Sequence, residues 1–187
     1  MRGRDMVIVP NPASPPRQQI RILVVPDIDE TAIAQARFGA IEHVHIVRPA
    51  DPRWIQPFMR YLRLKLYRWE FADSFITDRF IPAAAEIVPN GLQHGTPSTP
   101  VGVNLDVYGH APRRVVTLLV SNCARADQVR GMVDAVRRSE MGEHLFEPRG
   151  RGLAIAQSFV DGLQMLIYRD YSVHVVCYWQ EDRRPSC

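Results

Sequence analysis

Glu86, Asn90 and His94 lie four residues apart within Pro82-Ala-Ala-Ala-Glu86-Ile-Val-Pro-Asn90-Gly-Leu-Gln-His94-Gly95. Positions four apart share one side of a helix, so the three form a polar stripe. Ile81, Ala84, Ile87 and Val88 fall largely on other sides and are free to bury. A carboxylate, an amide and an imidazole beside an apolar face suit a Mg-nucleotide. The amide oxygen can ligate a hard cation, and the carboxylate can orient or deprotonate a nucleophile. A second stretch, Arg149-Gly150-Arg151-Gly152-Leu153, opens the helical run Ala154-Ile-Ala-Gln-Ser-Phe-Val. Glycine ahead of a helix start lets bare N–H groups approach a phosphate. Each stretch alone also has a plainer reading, the stripe as a solvated helix face and the glycines as an ordinary helix start.

The elements that must carry these residues follow from local pattern. Residues 1–19 read as an irregular segment, with a short apolar run at Met6–Pro10. Residues 20–50 read as a small strand–helix–strand unit. It comprises strand Ile20–Val25, a helix over Glu30–Phe38 capped by Asp29, and an alternating strand His43–Val47. Asp51-Pro52 is a cap followed by proline at the first helical position. It opens a helix to about Phe71, with Pro57 delaying the start. A break follows near Asp73–Asp78. The helix bearing the polar stripe then runs from about Asp78 to Gln93 and ends at Gly95. Val101–Val107 and Arg114–Val120 form an antiparallel hairpin. Asp127–Arg138 is an amphipathic helix with Val129, Met132, Val133 and Val136 on one side. Gly152–Val160 is helical, Leu163–Tyr168 and Val173–Trp179 close the chain as a second hairpin, and the tail beyond Gln180 is polar and loose. The order predicts an α+β two-layer sandwich, a mainly antiparallel sheet with helices on one face.

Together and in this order, Glu86/Asn90/His94-Gly95 and Arg149–Leu153 resemble the N-box and G2 box of the GHKL ATPases. These share the Bergerat fold with histidine-kinase catalytic domains and anti-sigma-factor kinases. The resemblance covers about residues 51–180, leaving 181–187 as a tail. It implies that Asn90 ligates Mg2+ bridging the phosphates of ATP, and that Glu86 is the general base or orients the attacking group. By the same resemblance His94 and Gly95 shape the pocket wall, and Gly150 and Gly152 let the backbone meet the phosphates. Arg149 and Arg151 add charge-assisted contacts, and Leu153 closes that box. The middle box departs from the family. Where the family has Asp-x-Gly-x-Gly after the strand, this chain has Ser121-Asn122-Cys123-Ala124-Arg125. Ser121 or Asn122 would accept the adenine hydrogen bond without the charge. A strand ending in Asn and leading into a helix resembles the SiaB-like subgroup. Pro89 removes one helical hydrogen bond and strains the helix by about 3 kcal/mol unless compensated. The implied function is an ATP-dependent serine/threonine kinase or switch acting on a STAS-domain or sigma-factor-like partner. The alternative is an inactive GHKL-fold protein-binding module.

Apolar residues make up 46% and charged residues 23% of the 187, the balance of an ordinary globular protein. The net charge of +3 is too small to point to nucleic acid. All of the 23 basic residues except Lys65 are arginine. Cys123, Cys177 and Cys187 form no metal or disulfide motif, which suggests a reducing compartment. With no apolar run of spanning length, the expectation is a cytoplasmic protein with no nucleic-acid or membrane partner, and a homodimer is left open. Two further motifs are weaker. Asp27-Ile-Asp29 resembles the first motif of haloacid-dehalogenase phosphatases, but the later lysine and acidic cluster are missing. His43-x-His45 places two imidazoles on one strand face without a clear third ligand.

Overall fold

A computed structural model of the chain describes residues 21–25, 40–110, 113–140, 151–168 and 170–182. Six strands form one sheet: β1 (Arg21–Val25), β2 (Ala40–Pro49), β3 (Pro100–Tyr108), β4 (Arg113–Cys123), β5 (Gly162–Tyr168) and β6 (Ser172–Asp182). Their order across the sheet is β1-β5-β6-β4-β3-β2. Strands β2 to β6 pair antiparallel, and β1 adds to β5 in parallel at one edge. The period-two alternation of the sequence decides which side chains face the helices, although β3 is buried on both faces, Asn104 and Asp106 included. Val101, Val103, Leu105 and Val107 of β3 share the core with Val116, Leu118 and Val120 of β4 and with Val173, Cys177 and Trp179 of β6.

Helices cover that apolar face, giving the α+β two-layer arrangement. Asp51 caps a 3-10 turn at Pro52–Trp54, its side chain accepting from the Arg53 N–H at 2.8 Å. Helix α1 (Ile55–Arg68) follows and buries Phe58, Leu62 and Leu66 at a spacing of one helical turn. The true α-helix thus begins later than Asp51, as Pro57 suggested. The break after α1 lies at residues 69–72, earlier than the expected Asp73–Asp78. A helical turn at Asp73–Phe75 passes through a π-helical turn, Ile76–Phe80, into helix α2 (Ile81–His94). The π turn brings Phe80 to full burial against Trp179, the ring centroids lying 4.9 Å apart. Helix α2 buries Ala83, Ala84, Ile87, Val88, Gly91 and Leu92. Gly91 is required there: a Cβ would stand 2.5 Å from Val120 Cγ1 on the sheet below. Helices α3 (Ala126–Glu140) and α4 (Arg151–Phe159) complete the layer.

Two boundaries differ from the sequence expectation. The strands assigned to a separate N-terminal unit lie at opposite edges of the one sheet, β1 beside β5 and β2 beside β3. Each supplies backbone hydrogen bonds to a neighbour already present, so residue 51 does not divide two sheets. The helix expected at Glu30–Phe38, its Asp29 cap, the Asp27 motif and residues 1–19 lie outside the described residues. The polar tail also begins later. Strand β6 continues through Asp182, because Glu181 is only 5% exposed and has a buried partner. Arg114 Nε donates to Glu181 Oε2 at 2.7 Å, and its other nitrogens donate to the Trp69 and Glu70 carbonyls at 2.6 and 3.2 Å. The guanidinium lies 3.6 Å over the Phe71 ring. One cation therefore neutralises a buried acid, satisfies the carbonyls at the end of α1, and ties that end to the sheet.

Candidate functional site

Helix α2 carries Glu86, Asn90 and His94 along one side because its other sides are committed to the core. Glu86 and Asn90 are half-buried and His94 is exposed. The helix runs unbroken through Pro89, and Ala85, whose carbonyl loses its usual donor there, is on the exposed side. His94 falls in the last turn, where the helix dipole favours a cation.

The first turn of α4 packs against this stripe. A Cβ built on Gly152 would stand 2.9 Å from Glu86 Oε2 and 3.1 Å from Asn90 Nδ2. The two stretches that the sequence marks as chemically interesting are therefore in direct contact, with a glycine at the point of closest approach. The glycine serves proximity and not unusual backbone geometry. Gly109, in the turn between β3 and β4, is the described glycine with a positive φ (72°). The Glu86 carboxylate lies beside the start of α4, where unpaired N–H groups favour a negative charge. Leu153 is half-buried against the core, which anchors that turn. Arg151 opens α4. Arg149 and Gly150 lie outside the described residues.

The middle segment is divided between two faces. Asn122 points to the helix side of β4 and is buried. In the amide orientation that pairs both atoms, Nδ2 donates to the Val173 carbonyl at 3.2 Å and Oδ1 accepts from the Gly95 N–H at 3.3 Å. Asn122 thus fastens the end of α2 to β4 and β6. Gly95 is buried with extended backbone (φ −63°, ψ 152°), and a Cβ there would meet Ala50 Cβ and the Gly91 carbonyl, both at 3.0 Å. The chain then leaves α2 along the end of β4, Thr96 N–H donating to the Cys123 carbonyl at 2.7 Å. Ser121, expected to share the site, faces away from it. Neighbouring strand residues point to opposite faces, and the Ser121 hydroxyl reaches the Gly102 carbonyl at 3.4 Å on the far side.

Other polar groupings lie apart from this contact. His43 pairs with Asp106 across β2 and β3, placed there by their register. The His43 and His45 rings are 6.3 Å apart. Among the described residues no group of three or more His, Cys, Asp or Glu is arranged to hold a metal. A cleft of about 250 Å³ lies at the end of α1, lined by Glu42, Arg68, Glu70 and Arg114 among others. It contains neither Glu86 nor Asn90, and its Arg114 is consumed by the ion pair and the helix-end carbonyls. At the β5–β6 hairpin, Asp170 is held below the usual carboxylate range by hydrogen bonds from the Ser172 N–H and hydroxyl. Burial pushes the His174 pKa down, opposed by the charge of Asp170. Burial also pushes the Cys177 thiol up to about 12, which keeps it protonated and inert.

The sequence offered no sign of the Asn122–Gly95 tie or of the Arg114–Glu181 pair, since both join residues distant in the chain. The only available hints were a polar residue where the strand period demands an inward one, at Asn122, and a charge at the inward positions 114 and 181. No protein-family model matches the chain, and no curated protein matches it.

Proposed function

We propose that the chain is a GHKL-type ATP-binding protein of the anti-sigma-factor kinase class, phosphorylating or sequestering a small STAS-type regulatory partner. The observation that supports it is the contact of Glu86 and Asn90 with Gly152, 2.9 and 3.1 Å from the position of a Cβ. An acid and an amide one helical turn apart meet the glycine-bearing start of a second helix, and α4 would draw back from this stripe to admit a Mg-nucleotide between them. The fit is chemical. Asn90 would hold Mg2+ through its amide oxygen, the first N–H groups of α4 would receive phosphate, and Glu86 would orient or deprotonate the attacking hydroxyl. Bound Mg-ATP supplies the phosphoryl group and the cation that neutralises its charge. The residues' own task is positioning: α2 fixes the spacing of Glu86 and Asn90, and Gly152 sets how near α4 comes.

Asn122 favours a second reading. It stands where the resemblance has a base-recognising aspartate, and its amide is engaged by Gly95 and Val173. A GHKL-fold module that binds a partner without catalysis fits that observation. Thermal unfolding with Mg-ATP and Mg-ADP separates the two. Ligand at a hundredfold excess over its Kd adds about 2.7 kcal/mol of stability, and Asn90→Ala is expected to abolish the gain. Absence of a shift with both nucleotides at millimolar concentration selects the module. Where binding is found, labelled phosphate transfer to a STAS-domain protein, repeated with Glu86→Ala, tests the kinase. An unchanged rate in that variant removes Glu86 from the chemistry.

A further inference from the structure

Helix α1 presents an outer face that is both basic and apolar. Its inner side holds Phe58, Leu62 and Leu66 in the core. Its outer side exposes Leu64 (57%), Tyr61 (41%) and Tyr67 (40%), three of the exposed large apolar residues of the described chain. Arg60, Arg63 and Arg68 are exposed around them and Lys65 is half-buried, while Ile55–Arg68 contains no acidic residue. Lys65 Nζ is 5.5 Å from the Tyr61 centroid, and the Arg63 guanidinium is 5.7 Å from that of Tyr67 and donates to the Tyr67 hydroxyl at 3.4 Å. That hydroxyl donates to Asp73, a carboxylate set against this face from the neighbouring turn.

We propose that this face docks the protein reversibly on an anionic lipid surface. A basic helix with a central leucine and flanking tyrosines has the composition of an interfacial element, with tyrosine at headgroup level and arginine toward lipid phosphate. Single-stranded nucleic acid, whose bases stack on aromatic faces, is the competing occupant that the test below separates. A protein partner is disfavoured by area. A helix of 14 residues is about 21 Å long and about 10 Å wide, so its outer strip offers roughly 200 Å², against about 800 Å² per partner in a standard interface. A lipid surface needs neither shape complementarity nor such area, since each basic residue in its field raises affinity about fivefold. No helix among the described residues is long and apolar enough to cross a membrane. The absence of a spanning run underlay the expectation of no membrane partner, and docking through α1 requires no such run.

The test is co-sedimentation of the full chain with vesicles of phosphatidylcholine alone and of an equal mixture with phosphatidylglycerol, at low and high salt. Binding is expected on the mixed vesicles only, weakening as salt rises. Arg60→Gln with Arg68→Gln should weaken it roughly 25-fold and Arg60→Glu with Arg63→Glu several hundredfold, at about fivefold per unit of charge. Leu64→Ala should weaken it several-fold without altering the salt dependence. Each variant is first shown to unfold at the wild-type temperature, and the neutral pair stands in if the charge reversal does not. Equal binding to both vesicle types, none to either at low salt, or full binding by both arginine variants would overturn the proposal. Poly-uridylate binding that the same substitutions abolish, with vesicles left unbound, would replace it with a nucleic-acid surface.

Discussion

The contact between α2 and α4 makes a quantitative demand on Gly152 that can be tested without any ligand. Alanine at this position gains up to about 1 kcal/mol over glycine from helix propensity, less so close to a helix end. In the wild-type background its Cβ would stand 2.9 Å from Glu86 Oε2 and 3.1 Å from Asn90 Nδ2. The carboxylate must then move off the start of α4, forfeiting about 0.3–1 kcal/mol of dipole interaction, and the amide must yield a few tenths of an ångström. Gly152→Ala alone is therefore expected to be neutral or mildly destabilising. Glu86→Ala clears the closer of the two obstructions. In that background Gly152→Ala should be stabilising, so that the cycle shows a coupling of at least about 0.5 kcal/mol. Urea unfolding of the four proteins at constant m-value measures it. Equal effects of Gly152→Ala in both backgrounds, within the usual additivity error of about 0.3 kcal/mol, would refute the contact and with it the site.

Three further outcomes follow from the structure. Arg114→Met removes the cation paired with buried Glu181 and should cost about 3–5 kcal/mol, while Arg114→Met with Glu181→Leu should recover only the ion-pair part of it, because the Trp69 and Glu70 carbonyls still lack their donor, both read from urea midpoints. Asn122→Ala removes the partner of the Val173 carbonyl and a second acceptor from the Gly95 N–H. It should cost about 1–3 kcal/mol and speed amide exchange at the end of α2. His174 has its pKa lowered by burial, so below about pH 6.5 the unfolded chain takes up a proton that the folded chain refuses. Stability should therefore fall as pH drops from neutrality toward 5, by at most about 1.4 kcal/mol per unit. His174→Asn should flatten that slope. A slope identical to wild type would assign the acid sensitivity to other groups.

The sequence by itself determined most of the element types, because periodicity is a local property. Ala84, Ile87 and Val88 bury fully while Glu86 and Asn90 are half-buried and His94 is exposed, as 3.6-residue spacing requires. The alternation in β3 and β4 likewise fixed which residues face the helices. It also placed Asp51 and Pro52 at a helical start. Sequence could not show that the Gly152 turn lies on the Glu86–Asn90 stripe, since two helices meet only where the sheet between them brings them. Nor could it show that β1 and β2 take opposite edges of one sheet: strand pairing is set by long-range hydrogen bonding, which leaves no trace in either strand alone. The same limit hid Glu181 in an apparently loose tail, because a charged residue reads as solvated until its partner, here Arg114 on the neighbouring strand, closes off the water. Spacing along the chain chooses the face of each element, and packing across the sheet then chooses which faces meet.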